Sequence, residues 1–161
     1  MSRTLSILVD NAPGVLTRVS GLVARRGFNI ESLAVSHTED STRSRVTMVV
    51  DADEVIVEQV TKQLHKLINV YKVNDLTEVD HIDRELVLYK VNAEPNRRGE
   101  IMELVSVFRA RIVDVAPSSL TIEATGTEDK LKAMEDLLRA YGIKQIIRSG
   151  KIAISRGSVS E

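Results

Sequence analysis

The chain has 161 residues, no cysteine and a formal net charge of −1. The lack of cysteine excludes disulfides, thiolate metal sites and a cysteine nucleophile, and neither half has the basic excess that nucleic-acid binding usually requires. Hydrophobic residues make up 43% and charged residues 28%, as in soluble globular proteins. No apolar run approaches the roughly 18 residues of a membrane span, and the start lacks a signal-peptide pattern. We therefore expect a cytoplasmic protein.

The first half of the chain begins with a strand, a helix and a second strand. Alternating residues predict a strand over 4–9, and apolar residues at helical spacing then predict a helix that ends at Gly27. The next strand, FNIESLAVSH, changes its apolar side between Phe28 and Leu33. A change of side within one strand indicates an inserted residue, so we predict a β-bulge near Glu31 and Ser32.

A third strand (SRVTMVVDA), a second helix opened by Asp53 and a fourth strand (NVYKVNDLTEVD) complete a βαββαβ order. The second half repeats that order. It has a strand (RELVLYKVNA), a helix with apolar residues at helical spacing over 101–108, and two strands (RIVDVAP and SLTIEATG). The last helix is predicted over 128–140, with Thr127 as its N-cap and Gly142 at its end. The final strands are IKQIIRS and KIAIS, and the tail RGSVSE is expected to be frayed.

This order predicts an α+β protein made of two ferredoxin-like βαββαβ sandwich domains. We place the domains at residues 1–79 and 80–161, with the boundary near the polar stretch EVDHIDRE. Domains of this size are only marginally stable alone. The helices would cover one face of each sheet, yet Val, Ile and Leu occur on both sides of several strands. We therefore expect another subunit to cover the second face, and the protein to be an oligomer.

The stretch DNAPGVL joins the first strand to the first helix and is the candidate functional segment. Pro13 suits the first helical position, Gly14 allows a ligand to approach the main chain, and Asn11 can cap the helix or turn outward. Unpaired amides at a helix N-terminus attract a carboxylate, and Val15 and Leu16 could contact an aliphatic side chain. Most joints of this composition are only capped turns, so the local sequence leaves both interpretations open.

No catalytic or metal site is predicted. The three histidines, His37, His65 and His81, are far apart and lack the spacing of metal ligands. The Gly150-Lys151 pair has no glycine-rich approach and precedes a strand, unlike a phosphate-binding loop. No serine lies in a nucleophile elbow.

The longer segment DNAPGVLTRVSGLVARRGFNIESLAVS resembles the first half of an ACT domain, an amino-acid-sensing module of the ferredoxin-like class. Over nearly its full length, the chain resembles the regulatory (small) subunits of acetolactate synthase, also called acetohydroxyacid synthase. The segments that carry this wider resemblance are RRGFNIESLAVS, SRVTMVV, QLHKLINVYKV, RELVLYKV, IVDVAPSSLTIEATGTEDKL and SGKIAISRG.

The resemblance implies a non-catalytic subunit that binds the catalytic (large) subunit and raises its activity. It also implies feedback inhibition by valine or a related branched-chain amino acid. The catalytic subunit joins two pyruvates, or pyruvate and 2-oxobutyrate, in the first common step of valine, leucine and isoleucine synthesis. Thiamine diphosphate, Mg and FAD are implied for the catalytic subunit, and no cofactor is implied for this chain.

The resemblance also implies where the effector binds. In the family, ACT domains pair side by side as a homodimer, and the effector lies at the seam between two chains. One chain contributes the joint after its first strand, and the other contributes the start of its second strand. The implied effector-binding residues are Asn11, Ala12, Pro13, Gly14, Val15, Leu16, Asn29 and Ile30. The two asparagines would contact the ammonium or carboxylate, the segment 14–16 would donate main-chain N–H groups, and Ile30 would contact the aliphatic side chain.

Two alternatives belong to other functional classes. The chain could be a stand-alone homo-oligomeric amino-acid-binding module without an enzyme partner. It could also be an enzyme that acts on a small carboxylate, although no acid-base pair or nucleophile supports that interpretation.

Overall fold

The computed structural model describes residues 1–27 and 29–157, and within them the chain forms nine strands and four α-helices. The elements of the first half are β1 (Ser2–Asp10), α1 (Val15–Arg25), β2 (Ile30–His37), β3 (Arg43–Asp51), α2 (Glu54–Leu64) and β4 (Val70–Asp75). Those that follow are β5 (His81–Asn92), α3 (Arg98–Val107), β6 (Arg111–Val115), β7 (Ser119–Gly126), α4 (Glu128–Leu138), a 3-10 helix (Arg139–Tyr141), β8 (Ile143–Arg148) and β9 (Ile152–Ser155). Our predictions for Phe28 and for the last four tail residues lie outside the described residues.

Both halves have the predicted βαββαβ order, which confirms the α+β fold class. The first antiparallel sheet has the strand order β2-β3-β1-β4, and the second has the equivalent order β6-β7-β5-β8, with β9 also paired to β5. Strands β2 and β4 are therefore the edges of the first sheet. No helix in the described ranges is long and apolar enough to cross a membrane.

The chain divides into two compact units that differ from the sequence-based division at the C-terminal end. The first unit comprises residues 1–82 and the segment that begins at Lys151, and the second comprises residues 83–150. The order of elements along the sequence predicts that the whole C-terminal segment belongs to the second domain. In the structure, the segment from Lys151 is grouped with the first unit, and the main-chain amide of Lys151 donates to Ser32 Oγ of β2 at 2.9 Å.

The core of the first unit lies between one face of its sheet and the inner faces of α1 and α2. Its fully buried side chains are aliphatic, as expected of a chain with so few aromatic residues. Each such side chain contributes roughly 1.5–3 kcal/mol to stability. The best-buried members are Leu5, Ile7, Val19, Val23, Val46, Met48, Val50, Val60 and Leu64.

The helix-free face of the first sheet is covered at its centre. Thr4, Ser6, Thr47 and Val49 lie on this face, and each is at most 7% exposed. The segment from Lys151 contributes to the cover through its hydrogen bond to Ser32 on the same face. We had inferred a second subunit from apolar residues on both strand faces. Because the chain itself supplies part of the cover, that pattern alone does not require an oligomer.

The bulge predicted in β2 is confirmed. Its register against β3 shifts between Ile30 and Ser32, so that Glu31 is the inserted residue. As a result, Ile30 and Leu33 both point toward the core although they are three positions apart. The bulge lets the start of β2 keep an apolar residue on the core side.

The predicted starts of α2 and α4 are confirmed in position, but their N-cap residues differ in chemistry, and α4 ends at Leu138, before a 3-10 helix. Asp53 caps α2, since its Oδ1 accepts a hydrogen bond of 2.9 Å from the amide of Ile56. Thr127 stands at the N-cap of α4, yet its hydroxyl makes no capping hydrogen bond. Gly142 follows the 3-10 helix with a φ of 92°, a conformation that favours glycine.

The core of the second unit contains one buried aromatic residue. Tyr89 on β5 is fully buried, and its hydroxyl donates to the carbonyl of Leu131 in α4 at 3.0 Å. Burial of the phenol raises the pKa of Tyr89 to about 12. The hydroxyl therefore stays protonated and ties the strand to the helix.

The end of α3 contains the one non-glycine residue with positive φ among the described residues. Arg109 has a φ of 54°, and the amide of Ala110 donates to the carbonyl of Val105 at 2.9 Å. This pair forms the longer hydrogen bond of a Schellman motif, in which glycine is preferred at the left-handed position. An L-residue there costs roughly 1–2 kcal/mol.

We expect Arg109→Gly to stabilise the protein by about 0.5–1 kcal/mol, because the relief of left-handed strain exceeds the added chain entropy of glycine. Urea unfolding measures the change. Arg109→Ala is the matched control, since it removes the side chain and keeps the strain, and its midpoint should stay near that of the wild type. A lower midpoint for Arg109→Gly would contradict this interpretation.

Candidate functional site

The joint between β1 and α1 is opened by a left-handed glycine. Helix α1 begins at Val15, and Gly14 is its N-cap residue with φ 82° and ψ −9°. Apart from Gly14 itself and its two chain neighbours, no described atom lies within 4 Å of the position that a Cβ of Gly14 would occupy. Pro13 therefore lies two residues before the helix, and our prediction that it occupies the first helical position is wrong.

Asn11 is held by the turn between β2 and β3. Its main-chain amide donates to the carbonyl of Thr42 at 2.8 Å, and its side-chain Nδ2 donates to the carbonyl of Ser41 at 3.0 Å. No side-chain hydrogen bond caps α1, so the interpretation of Asn11 as a helix cap is wrong. The Oδ1 of Asn11 keeps its capacity to accept a hydrogen bond.

The first turn of α1 presents unpaired main-chain amides. Within the described ranges, the amides of Gly14, Leu16 and Thr17 have no acceptor, and the amide of Val15 reaches the carbonyl of Ala12 only at 3.4 Å. These donors lie at the positive end of the helix dipole. The side chain of Val15 is buried in the core, whereas Leu16 is 40% exposed beside the amides.

A polar network holds the joint from the other side of β1. The carboxylate of Asp10 accepts from the hydroxyl of Tyr71 through Oδ1, and from Asn69 Nδ2 through Oδ2 at 2.8 Å. Arg18 of α1 donates to Asn69 Oδ1 at 2.6 Å, and the guanidinium of Arg43 lies 4.2 Å from the centre of the Tyr71 ring. The sequence does not reveal this network, because its members are far apart along the chain and follow no motif.

The two predicted parts of the effector site lie at opposite ends of the first sheet in one chain. Asn29 is exposed immediately before β2, and Ile30 pairs with Val50, which pairs with Arg3 near the start of β1. The joint follows Asp10 at the end of β1, which is seven residues after Arg3. Seven strand residues span roughly 23 Å. This distance far exceeds the length of a free amino acid, so one chain cannot bring both parts to one ligand.

The equivalent joint of the second unit is built differently. The N-cap of α3 is Arg97 with a φ of −110°, so it has no left-handed glycine like Gly14. Arg98 donates through Nε to the carbonyl of Ala93 at 3.1 Å and through Nη2 to that of Ala116. A long side chain thus ties the second joint where the first joint is open.

The residues set aside by sequence contribute no cluster that could bind a metal. His37 and His65 are exposed, and Nδ1 of His81 lies 2.6 Å from the carbonyl of Val79. Throughout residues 1–27 and 29–157, no group of three or more His, Asp or Glu side chains is arranged to hold a metal ion.

The fold and the open joint define the first unit as an ACT domain. A family model described as the AHAS small subunit-like ACT domain matches residues 5–72. A second family model, described as the small subunit of acetolactate synthase, matches residues 84–157. The two matches cover both units and most of the chain.

Individual relatives agree with the family models. The chain is 56% identical to a probable acetolactate synthase small subunit from Archaeoglobus fulgidus, over 98% of this chain and 99% of the relative. It is 53% identical to the acetolactate synthase small subunit of Mycolicibacterium smegmatis, over 97% and 92% of the two chains. The crystal structure of the small subunit from Thermotoga maritima superposes with a TM-score of 0.88 at 38% identity, covering 99% of both chains.

The chain belongs to the family of acetolactate synthase small subunits. Membership implies a regulatory role and a catalytic large subunit as partner. The cofactors of the reaction belong to that catalytic subunit.

The Asp10 network predicts a dependence of stability on pH. Hydrogen bonds from Tyr71 and then Asn69, with the charge of Arg43, lower the pKa of Asp10 below its ordinary 3.8. A lowered pKa in the folded state stabilises the protein above the unfolded-state pKa, and this contribution is lost as pH falls through the folded-state value. The stability difference between wild type and Asp10→Asn should therefore be largest above about pH 4 and shrink on acidification.

Urea unfolding of both proteins between pH 7 and pH 2.5 tests this expectation. Asp40→Asn provides a second case with the same expected direction, since hydrogen bonds from Thr42 lower the pKa of Asp40 in the turn between β2 and β3. A difference between wild type and Asp10→Asn that stays constant over this pH range would contradict the role assigned to Asp10.

Proposed function

We propose that this chain binds valine, or another branched-chain amino acid, at a seam between the ACT domains of two copies. Through this binding it confers feedback inhibition on the catalytic subunit of acetolactate synthase, whose activity it otherwise raises. The chain itself carries out no chemistry in this proposal. The observation that carries it is the set of unpaired amides at the open joint, in a chain of this family.

The chemistry of the joint suits the acid group of an amino acid. A carboxylate at the helix N-terminus gains roughly 0.3–1 kcal/mol from the dipole, and each charge-assisted hydrogen bond to an amide adds about 1.5–3 kcal/mol. Burial of the valine side chain against Leu16 and Ile30 would add about 1.5–3 kcal/mol. After the cost of association, the dissociation constant would lie roughly between micromolar and sub-millimolar.

The register of the first sheet supports a site shared by two chains. Strand β2 is an edge of the sheet and therefore has unpaired main-chain groups available for a neighbour. Antiparallel pairing of two β2 strands would bring the start of one strand toward the end of the other. Asn29 and Ile30 of one chain would then approach the joint of the partner chain, which they cannot reach in their own.

A shared site couples effector binding to the geometry of the dimer. A ligand that binds one arrangement of the two chains more tightly shifts the population toward that arrangement. By linkage, the arrangement favoured by valine must differ in its affinity for, or effect on, the catalytic subunit.

Co-purification with the thiamine-dependent catalytic subunit tests the partnership, and repeated failure to recover that subunit would favour the stand-alone binding module.

We expect Gly14→Asp to abolish valine binding, because its carboxylate would occupy the amides that the ligand needs. Isothermal titration calorimetry measures the affinity, and mass measurement checks that the chain still dimerises. Gly14→Asn is the matched control, because asparagine and aspartate have the same shape and tolerate a positive φ similarly. Valine affinity of Gly14→Asp equal to that of Gly14→Asn would show that charge at the joint does not matter and would remove Gly14 from the site.

Mixed dimers test whether the site spans two chains. Asn29→His should weaken binding through the other half of the site. A heterodimer of one Gly14→Asp chain and one Asn29→His chain can be purified with two affinity tags. If each site is formed by two chains, this heterodimer contains one intact effector site and one that carries both substitutions. Its valine stoichiometry should be half that of the wild type. No recovered binding would argue that each site lies within one chain.

A further inference from the structure

Asn69 connects the two ends of the open joint. Its carbonyl accepts from the amide of Asp10 at 2.9 Å, and its Nδ2 donates to the carboxylate of the same residue at 2.8 Å. Its Oδ1 accepts from Nη1 of Arg18 at 2.6 Å. One residue, located in the loop before β4, therefore contacts the last residue of β1 and the first turns of α1.

The unpaired amides lie between these two anchor points in the chain. Asp10 precedes the joint, Arg18 follows it, and the amides of Gly14, Leu16 and Thr17 belong to the segment between them. Gly14 has the conformational freedom of a residue without Cβ, and beyond its two chain neighbours no described residue comes within 4 Å of the position of a Cβ. The direction of the amides consequently depends on how the two ends of the segment are held.

We infer that Asn69 is a positioning residue for the effector site. It contacts no effector, but it fixes the helix start relative to β1, so that the amides converge on one carboxylate. This inference rests on the proposed function. It assigns to Asn69 a role in effector affinity that is separate from packing, since Asn69 is partly exposed and outside the hydrophobic core.

Both hydrogen-bonding ends of the Asn69 amide are required for this role. The NH₂ group donates to a carboxylate and the oxygen accepts from a guanidinium, so replacing either end removes one of these hydrogen bonds. Asp10 in turn has both oxygens engaged, because its second oxygen accepts from Tyr71. Charge-assisted hydrogen bonds of this kind are directional and roughly twice as strong as neutral ones. The arrangement holds the joint in one geometry before the ligand arrives, which lowers the ordering cost of binding.

Calorimetric titration of the full-length chain with valine tests the inference. Asn69→Ala should weaken affinity at least about tenfold, because it leaves Asp10 and Arg18 without their shared partner. Two controls separate positioning from stability. Asn74→Ala removes an asparagine of β4 whose side chain makes no hydrogen bond with any described residue. Val60→Ala removes fully buried volume from the core beneath α2 and destabilises it. Both controls should bind valine within about twofold of the wild type.

Exchanging the donor and the acceptor between Asp10 and Asn69 gives a second test. If the substitutions merely disrupted the local structure, the double variant would not recover valine affinity. Asn69→Asp places two carboxylates in contact and should weaken binding more than Asn69→Ala does. The double variant Asp10→Asn with Asn69→Asp restores a donor facing an acceptor and keeps the partner of Arg18. Its valine affinity should return to within about threefold of the wild type. A double variant that binds no better than Asn69→Asp alone would overturn the inference.

If Asn69→Ala fails to fold, Arg18→Ala removes the helix-side anchor from an exposed position. It should weaken valine binding at least about threefold, whereas Arg25→Ala in the same helix should have no effect. Unchanged affinity in Asn69→Ala, or in Arg18→Ala where that variant replaces it, would overturn the positioning role.

The Gly14→Asp result distinguishes the two proposals. If Gly14→Asp abolishes binding while the positioning variants do not affect it, only the role of Asn69 is lost; if Gly14→Asp also binds normally, the proposed function itself fails.

Discussion

The antiparallel register of β1 with β3 is the constraint on which the interpretation of this protein depends. It places the open joint after Asp10 at one end of the first sheet and, through the pairing of β3 with β2, places Ile30 at the other end. A ligand that contacts both must therefore lie between two chains. The strand order leaves β2 at the edge of the sheet, where a second copy can pair with it. In the proposed function, the pairing of two β2 strands would link dimerisation to effector binding.

The segment between β1 and α1 contains a glycine in a left-handed conformation, but hydrogen bonds to residues distant in sequence hold it in place. Gly14 provides a left-handed turn that exposes the first amides of α1 and leaves them without internal acceptors. The segment is nevertheless anchored by hydrogen bonds from the turn that contains Thr42 and from the loop that contains Asn69. For the proposed effector site, these hydrogen bonds mean that the main chain is ordered during folding and does not have to be ordered on binding.

The two units show that one fold can support different chemistry at the same topological position. Both have the βαββαβ order and equivalent sheets. The joint of the first unit is opened by Gly14, whereas that of the second is tied by Arg98 to two main-chain carbonyls. The family models also treat the two units separately. A small number of side chains at the helix start therefore distinguishes a candidate receptor from a structural element.

The sequence by itself determined the order of elements, the bulge near Glu31 and the cap at Asp53, because periodicity and capping depend on neighbours within a few residues. It also identified the joint as the candidate site. Only the tertiary structure decided that Asn11 is bound to the turn after β2, that Lys151 is bound to Ser32 of β2, and that Asn69 spans the joint. These contacts join residues far apart in the chain, and sheet register, which local sequence does not specify, brings them together.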